Sequence, residues 1–264
     1  LHELNQLDDA VRSYNQVLAI QTNYAKAHNN LGIIYRGLGK TDDAVMSYKQ
    51  AVAIEQNYAE AHLNLGNILN ELGELDDAIK SYEYALDLQP DFLEAHNNLG
   101  NIFNELGQLD LAVKCYSKAI AINLEYAEAH NNLGNLYIDL KKYKNAITCF
   151  NHSISVNPNF LIGHYNLGLL YKSMGKFKNA KSKIEEVMKL NINFCSAHRV
   201  YSQLNKYSTN DAHLKVMEKL YKNKKIDYSN NTELCFALGK AYDDIKNFKK
   251  AFNYYSEGNT LRRQ

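Results

Sequence analysis

Ala95-His96-Asn97-Asn98-Leu99-Gly100 is one of four near-copies of a single phrase; the others are Ala27-His28-Asn29-Asn30-Leu31-Gly32, Ala61-His62-Leu63-Asn64-Leu65-Gly66 and Ala129-His130-Asn131-Asn132-Leu133-Gly134. Each copy begins 34 residues after the one before. A period of that length, with small residues at fixed places and no strand signal, marks stacked helical hairpins rather than one globular core. Function then becomes a property of the row of helix faces that the hairpins present.

Counting each unit from the residue after an aromatic (Tyr24, Tyr58, Phe92, Tyr126, Phe160) gives five full repeats, 25–58, 59–92, 93–126, 127–160 and 161–194. Position 8 is Gly in all five (Gly32, Gly66, Gly100, Gly134, Gly168) and position 20 is Ala (Ala44, Ala78, Ala112, Ala146, Ala180). Small residues at these places let two antiparallel helices approach closely, while positions 11 and 24, mostly Tyr and Phe, supply bulk. The turn is legible in Leu38-Gly39-Lys40, Leu72-Gly73-Glu74 and Leu106-Gly107-Gln108, where glycine can take the left-handed conformation that ends a helix. Asp42-Asp43, Asp76-Asp77 and Asp110 follow, and are expected to cap the second helix and meet the positive end of its dipole.

Small residues at positions 8, 20 and 27, large ones at 11 and 24, and Pro90 and Pro158 at position 32 resemble the tetratricopeptide repeat. The resemblance implies an all-α fold, a right-handed superhelical solenoid of antiparallel helix pairs whose first helices line a concave channel. It implies a general interaction scaffold and no particular ligand. Residues 1–24 read as an incomplete first hairpin, with Leu1 at position 11, as though cut from something longer. After Phe194 the pattern breaks. Residues 195–231 read as an irregular helical insert, with Asn210 or Asp211 capping a helix to about Tyr221, and 232–264 as a last hairpin.

The stretch Phe236 to Asp244, with Ala251-Phe252 and Gly258 to Arg263, resembles the segment that precedes the catalytic domain in tetratricopeptide repeat-linked sulfotransferases. His213, Met217 and Leu220 fit the same resemblance. The phosphosulfate loop of that family has no counterpart here, since the chain contains no Ser-Gly dipeptide. Nor does it contain a phosphate-binding Gly-x-x-x-x-Gly-Lys-Ser/Thr loop, a Gly-x-Ser-x-Gly elbow or His-Glu-x-x-His, so the chain itself reads as no enzyme, with no catalytic residue, metal or cofactor.

The longest apolar runs are too short to span a bilayer, and the first residues do not form a leader, which suggests a cytoplasmic protein. Cys115, Cys149, Cys195 and Cys235 lie far apart and suggest free thiols. Net charge is +1, but residues 1–139 carry 8 Lys and Arg against 20 Asp and Glu, whereas 140–264 carry 22 against 9. Opposite halves can steer different partners. Nucleic-acid binding by the basic half ranks low, because its cations are not interleaved in one helical stripe. The sequence leaves open a homo-oligomer.

Histidine recurs at position 4 as His28, His62, His96, His130, His164 and His198, without Cys or carboxylate companions in phase, and is expected to pack rather than to bind metal. The opposite face carries positions 2, 6, 9 and 13. Position 6 is Asn30, Asn64, Asn98, Asn132 and Asn166, and position 9 adds Asn67, Asn101 and Asn135. A file of carboxamides can pair with the main chain of an extended peptide without selecting its side chains, and it resembles the asparagine ladder of O-linked N-acetylglucosamine transferase repeats. The alternative use is hydrogen bonding to the neighbouring repeat or to water. Glu60, Glu94 and Glu128 at position 2, with Glu71, Glu105 and Asp139 at position 13, favour a basic ligand. Of the cations that a C-terminal carboxylate clamp would need, only Lys26 and Arg199 approach the pattern.

The chain is therefore expected to bind a protein or peptide along its first helices. The competing expectation is a recruiting or dimerising module of a larger sulfotransferase or other transferase. The later units replace the first-turn acids with Lys144-Asn145 and Lys178-Asn179, losing the dipole benefit. Amide hydrogen exchange should therefore be faster in the second helices 143–156 and 177–190 than in 41–54 and 75–88; equal protection would contradict this.

Overall fold

A computed structural model describes residues 2–223 and 227–263, with side chains from Leu7 onward. Leu1, the 224–226 stretch of the insert and Gln264 lie outside the described residues. Among the described residues every regular element is helical: α1 (His2–Ile20), α2 (Ala25–Gly37), α3 (Thr41–Ile54), α4 (Ala59–Glu71), α5 (Leu75–Leu88), α6 (Leu93–Glu105), α7 (Leu109–Ile122), α8 (Ala127–Asp139), α9 (Tyr143–Val156), α10 (Leu161–Ser173), α11 (Phe177–Leu190), α12 (Cys195–Leu204), α13 (Ala212–Tyr221), α14 (Tyr228–Asp244) and α15 (Phe248–Arg262). The first helices of the five repeats each have 13 residues and the second helices 14.

The chain divides into two compact units, Leu1–Leu136 and Tyr137–Gln264. In the first, α2 pairs with α3, α4 with α5 and α6 with α7; α3 packs on α4 and α5 on α6, while α2, α4 and α6 lie side by side. Its core joins Tyr48, Leu65, Ile68, Tyr82, Leu99 and Ile102. In the second, α10 pairs with α11 and α14 with α15, and both α12 and α13 pack on α14.

Two constraints set the hairpin. Position-20 alanines Ala44, Ala78, Ala112, Ala146 and Ala180 are all fully buried. At position 8 a Cβ on Gly66 would stand 2.7 Å from a Tyr82 ring carbon, and on Gly100 2.6 Å from Tyr116, so the rings of the second helix occupy the space that any side chain would need. The turn repeats as well. Gly73 has φ 76°, its amide donates to the Asn70 carbonyl and the Glu74 amide to that of Leu69, which is the Schellman arrangement.

The expected aspartate caps do not form. The N-caps of α3 and α5 are Lys40 and Glu74, with no side-chain cap bond; Asp42, Asp43, Asp76 and Asp77 sit inside the first turn, where they serve the dipole alone. Asp211 does cap α13, its carboxylate accepting from the His213 and Leu214 amides. The last hairpin begins at Tyr228, four residues before the expected 232, because the Asp227 carboxylate accepts from the Asn230 amide and caps α14 there.

At the fourth repeat the same turn is made by Lys141, with φ 57° and the same two bonds, Lys141 N to the Ile138 carbonyl and Lys142 N to that of Tyr137. A residue with a Cβ resists this left-handed conformation by about 1 kcal/mol. Lys141→Gly should therefore stabilise the protein by about 0.5–1 kcal/mol, read as a raised urea midpoint, whereas Gly73→Ala should lower it.

Candidate interaction surface on the first helices

Each position-4 histidine has a structural partner. Nε2 of His28, His62, His96, His130, His164 and His198 lies 2.7–3.1 Å from the carbonyl oxygen of the residue six before it (Thr22, Gln56, Pro90, Leu124, Pro158, Ile192). A carbonyl only accepts, so Nε2 carries the proton and the imidazole fastens the loop between hairpins to the helix that follows. No three His, Cys, Asp or Glu side chains among the described residues gather as a metal site. Burial pushes the Cys115 and Cys149 thiols up to about 11, which keeps them protonated and poorly nucleophilic.

The asparagines of the first unit form a network between repeats. The buried Tyr82 ring crosses Gly66, and its hydroxyl donates to Asn67 Oδ1 at 2.7 Å; Tyr116 does the same to Asn101 at 2.8 Å. The next repeat then adds its position-6 amide to the same oxygen: Asn98 Nδ2 donates to Asn67 Oδ1 at 2.8 Å, and Asn132 Nδ2 to Asn101 Oδ1 at 3.2 Å. Asn132 also reaches Asn97 Oδ1 at 3.1 Å, Asn64 reaches the buried Asn29 Oδ1 at 3.0 Å, and Asn30 reaches the Tyr14 hydroxyl at 2.9 Å. Asn67 and Asn101 thus serve as acceptors for a buried tyrosine and a neighbouring carboxamide. Burial raises the Tyr82 and Tyr116 hydroxyls well above the usual tyrosine range, so both remain donors at any working pH.

From sequence, position 9 is expected in the peptide-binding file, with bonding to the neighbouring repeat as the alternative use. The missed signal is its pairing with position 24: Asn67 with Tyr82, Asn101 with Tyr116, and Leu169 with Ile184. The exceptions are the first repeat, where Ile33 stands at position 9 and the buried Tyr48 hydroxyl has no partner, and the fourth, where Asn135 stands with Phe150, a ring without a hydroxyl.

The acids of this face are exposed but not all unengaged. Arg36 Nε donates to both carboxylate oxygens of Glu71, at 3.1 and 3.3 Å, tying α2 to α4 and removing Glu71 as a solitary charge. Glu94 accepts from Asn67 Nδ2 at 3.2 Å and Glu128 from the Tyr126 hydroxyl at 3.0 Å. Glu60 and Glu105 lie exposed on α4 and α6, and Asn135 is half-buried on α8. In the second unit Asp139 is exposed at the end of α8, and Asn166 is half-buried on α10. Arg199 there pairs with Glu233 at 2.7 Å and lies 4.8 Å over the Phe236 ring, so it is engaged inside the protein, while Lys26 in the first unit is exposed.

Family profiles described as TPR repeat match residues 1–39, 34–69, 66–107 and 100–140, and others described as tetratricopeptide repeat match 127–160, 163–191 and 232–264. The chain belongs to the tetratricopeptide repeat family. Among solved structures, that of MamA is 27% identical, with a TM-score of 0.55 over 61% of this chain and 95% of that one. YrrB, titled a TPR protein with an unusual peptide-binding site, is 18% identical (TM-score 0.56, covering 71% and 96%), and PilF of Pseudomonas aeruginosa is 19% identical (0.63, covering 96% and 99%). At those identities the last two show the tetratricopeptide fold alone. No curated protein sequence matches the chain. None of its described helices is long and apolar enough to cross a membrane.

The tyrosine–asparagine pairing predicts opposite outcomes for two substitutions in these repeats. Asn67→Ala strips the buried Tyr82 hydroxyl of its acceptor and should destabilise by about 1–3 kcal/mol; Ile33→Asn gives Tyr48 an acceptor and should stabilise by about 0.5–1.5 kcal/mol. Urea midpoints of the two variants check both signs.

Proposed function

We propose that this chain is a non-catalytic scaffold that holds an extended protein segment against the first-helix face of its acidic unit, with the position-6 asparagines meeting the segment's main chain. The observation that carries the reading is the orientation of those carboxamides. Asn30, Asn64 and Asn98 each spend Nδ2 on a neighbour, while Oδ1 has no partner among the described residues. Fixed acceptors recurring once per repeat suit backbone N–H donors of an extended chain, because their orientation costs no further ordering on binding. Exposed Glu60, Glu105 and Glu128 around them favour Lys and Arg in the ligand. YrrB, similar in fold, is titled for a peptide-binding site. The proposed setting is the cytoplasm, where the four thiols stay reduced.

A second reading rests on the Phe236 to Arg263 stretch and its resemblance to sulfotransferase-linked repeats. In it the repeats recruit substrate for, or dimerise, a transferase whose catalytic groups lie elsewhere. The two differ in what the position-6 asparagines are for.

Changing Asn30, Asn64 and Asn98 together to Ala should weaken peptide-array binding by roughly 100-fold, at about 1 kcal/mol per lost bond, with helicity retained by circular dichroism. Full binding by a folded triple variant would remove the proposal.

A further inference from the structure

His198 keeps the loop-fastening bond of its five counterparts and also meets a second imidazole, that of His213. His213 opens α13 directly after its Asp211 cap, and the two rings stack with centroids 5.0 Å apart. His198 Nδ1 lies 2.8 Å from His213 Nε2, and His213 Nδ1 lies 2.7 Å from the Tyr207 hydroxyl. The protons of this chain follow from its end. The Ile192 carbonyl, 2.7 Å from His198 Nε2, can only accept, so Nε2 is protonated and a neutral His198 accepts at Nδ1. His213 then donates from Nε2, and Tyr207 donates to its Nδ1.

A chain of this kind counts protons. One extra proton fits in either of two ways, each leaving a buried cation: on His213 Nδ1, with the Tyr207 hydroxyl turning from donor to acceptor, or on His198 Nδ1, with His213 shifting its proton to Nδ1. Two cannot fit, since Nδ1–H and Nε2–H would then point at each other across 2.8 Å. His198 is fully buried. Burial pushes His213 down to about 4, with the nearby His198 adding to the effect and Asp211 opposing it, and it lowers His198 as well.

The surroundings offer little relief. The charged and titratable groups facing the pair are Lys181 from α11, Tyr201 from α12, and Tyr207 and Asp211 from the connecting loop; Lys240 and Asp244 from α14 stand behind Tyr207. Asp211 is already spent on the α13 cap and accepts from Asn205 Nδ2 at 3.3 Å. Asp244 accepts from the Tyr207 amide at 2.9 Å and pairs with Lys240, which donates to the Asn205 carbonyl at 2.6 Å. Lys181 donates to Asn205 Oδ1 at 3.0 Å and lies 4.8 Å over the Tyr201 ring. The Lys181 bond ties the 205–213 segment to α11, the Lys240 and Asp244 bonds tie it to α14, and the His213–His198 bond ties it to α12. What the segment holds down is α13, whose buried Leu214, Met217 and Leu220 cover Leu234, Ala237, Leu238 and Ala241 of α14.

We infer that residues 205–221 form an acid-released latch: protonation of the His198–His213 pair undocks α13 and uncovers the apolar face of α14. The sign follows from linkage. Both histidines are held neutral in the docked form and titrate near 6.5 once released, so docking is fully favoured above about pH 6.5 and is progressively lost as pH falls toward the lowered docked values. From pH 7 to 5 the opening equilibrium should rise about 25-fold if one histidine takes up its proton on release, and roughly 600-fold if both do.

Cys195 reports opening directly, since it is fully buried in the cluster beneath α13. The full chain is labelled with the acid-tolerant disulfide 4,4′-dithiodipyridine, sites are resolved by mass spectrometry, and rates are referred to Cys149 in α9. The expected result is a rise of at least 20-fold in the Cys195 rate relative to Cys149 between pH 7.5 and 5. His213→Gln, whose carboxamide donates and accepts but takes no proton, should lose most of that rise. Equal acceleration at Cys149, or an undiminished rise in H213Q, overturns the latch. Imidazole resonances of the unmodified chain give a measurement independent of any variant. His198 and His213 should stay neutral until the Cys195 labelling rate climbs, and titration of both near pH 6.5 with that thiol still closed also overturns it.

Discussion

The aromatic ring laid across a glycine is the contact on which the remaining structure depends. With Gly66 under Tyr82 and Gly100 under Tyr116, the two helices of a hairpin come close enough that any Cβ at the glycine would collide with the ring. The ring must then pass through to the far side of the first helix, carrying its hydroxyl with it. A hydroxyl arriving there without a partner would cost about 1–3 kcal/mol, and position 9 supplies the oxygen that prevents this. The same oxygen holds the next repeat's carboxamide. A steric fact inside one hairpin thereby becomes a polar bond between hairpins.

This chain of causes joins stability to recognition. The carboxamides best placed to meet a ligand are oriented by bonds that also fasten neighbouring repeats. Their Nδ2 groups serve the fold, and the proposed function leaves the Oδ1 atoms of Asn30, Asn64 and Asn98 to a ligand. Such a surface is preorganised at little further entropic cost. The exposed Arg36–Glu71 pair adds a weaker tie of the same kind, worth at most about 1 kcal/mol given its solvation.

The repeat period, the glycine–aromatic contact, the buried alanines and the left-handed turns were all legible in the sequence, because each rests on residue size or backbone freedom at a fixed spacing. The second half of position 6's role was not. A carboxamide can donate or accept in any direction, and residue type alone does not say which neighbour it finds. The aspartate caps were misplaced for a simpler reason: Lys40 and Glu74 take the N-cap position, which puts the aspartates one turn position too deep to reach back. The early start of α14 turned on Asp227, an isolated acid with no repeat to flag it. The partner of His198 was equally hidden, since His213 lies in a segment that follows no period.

The correlation of position 9 with position 24 bears on how such an array can change. Repeat 161–194 replaces the Asn and Tyr pair with Leu169 and Ile184, an apolar version of the same contact. Placed ahead of 93–126 by recombination, it would fit the backbone and yet leave the Asn98 amide facing a methyl group. The repeats share one geometry but differ in the side chains that stand at positions 9 and 24. Order along the chain is therefore heritable information, and units of equal length are not freely exchangeable.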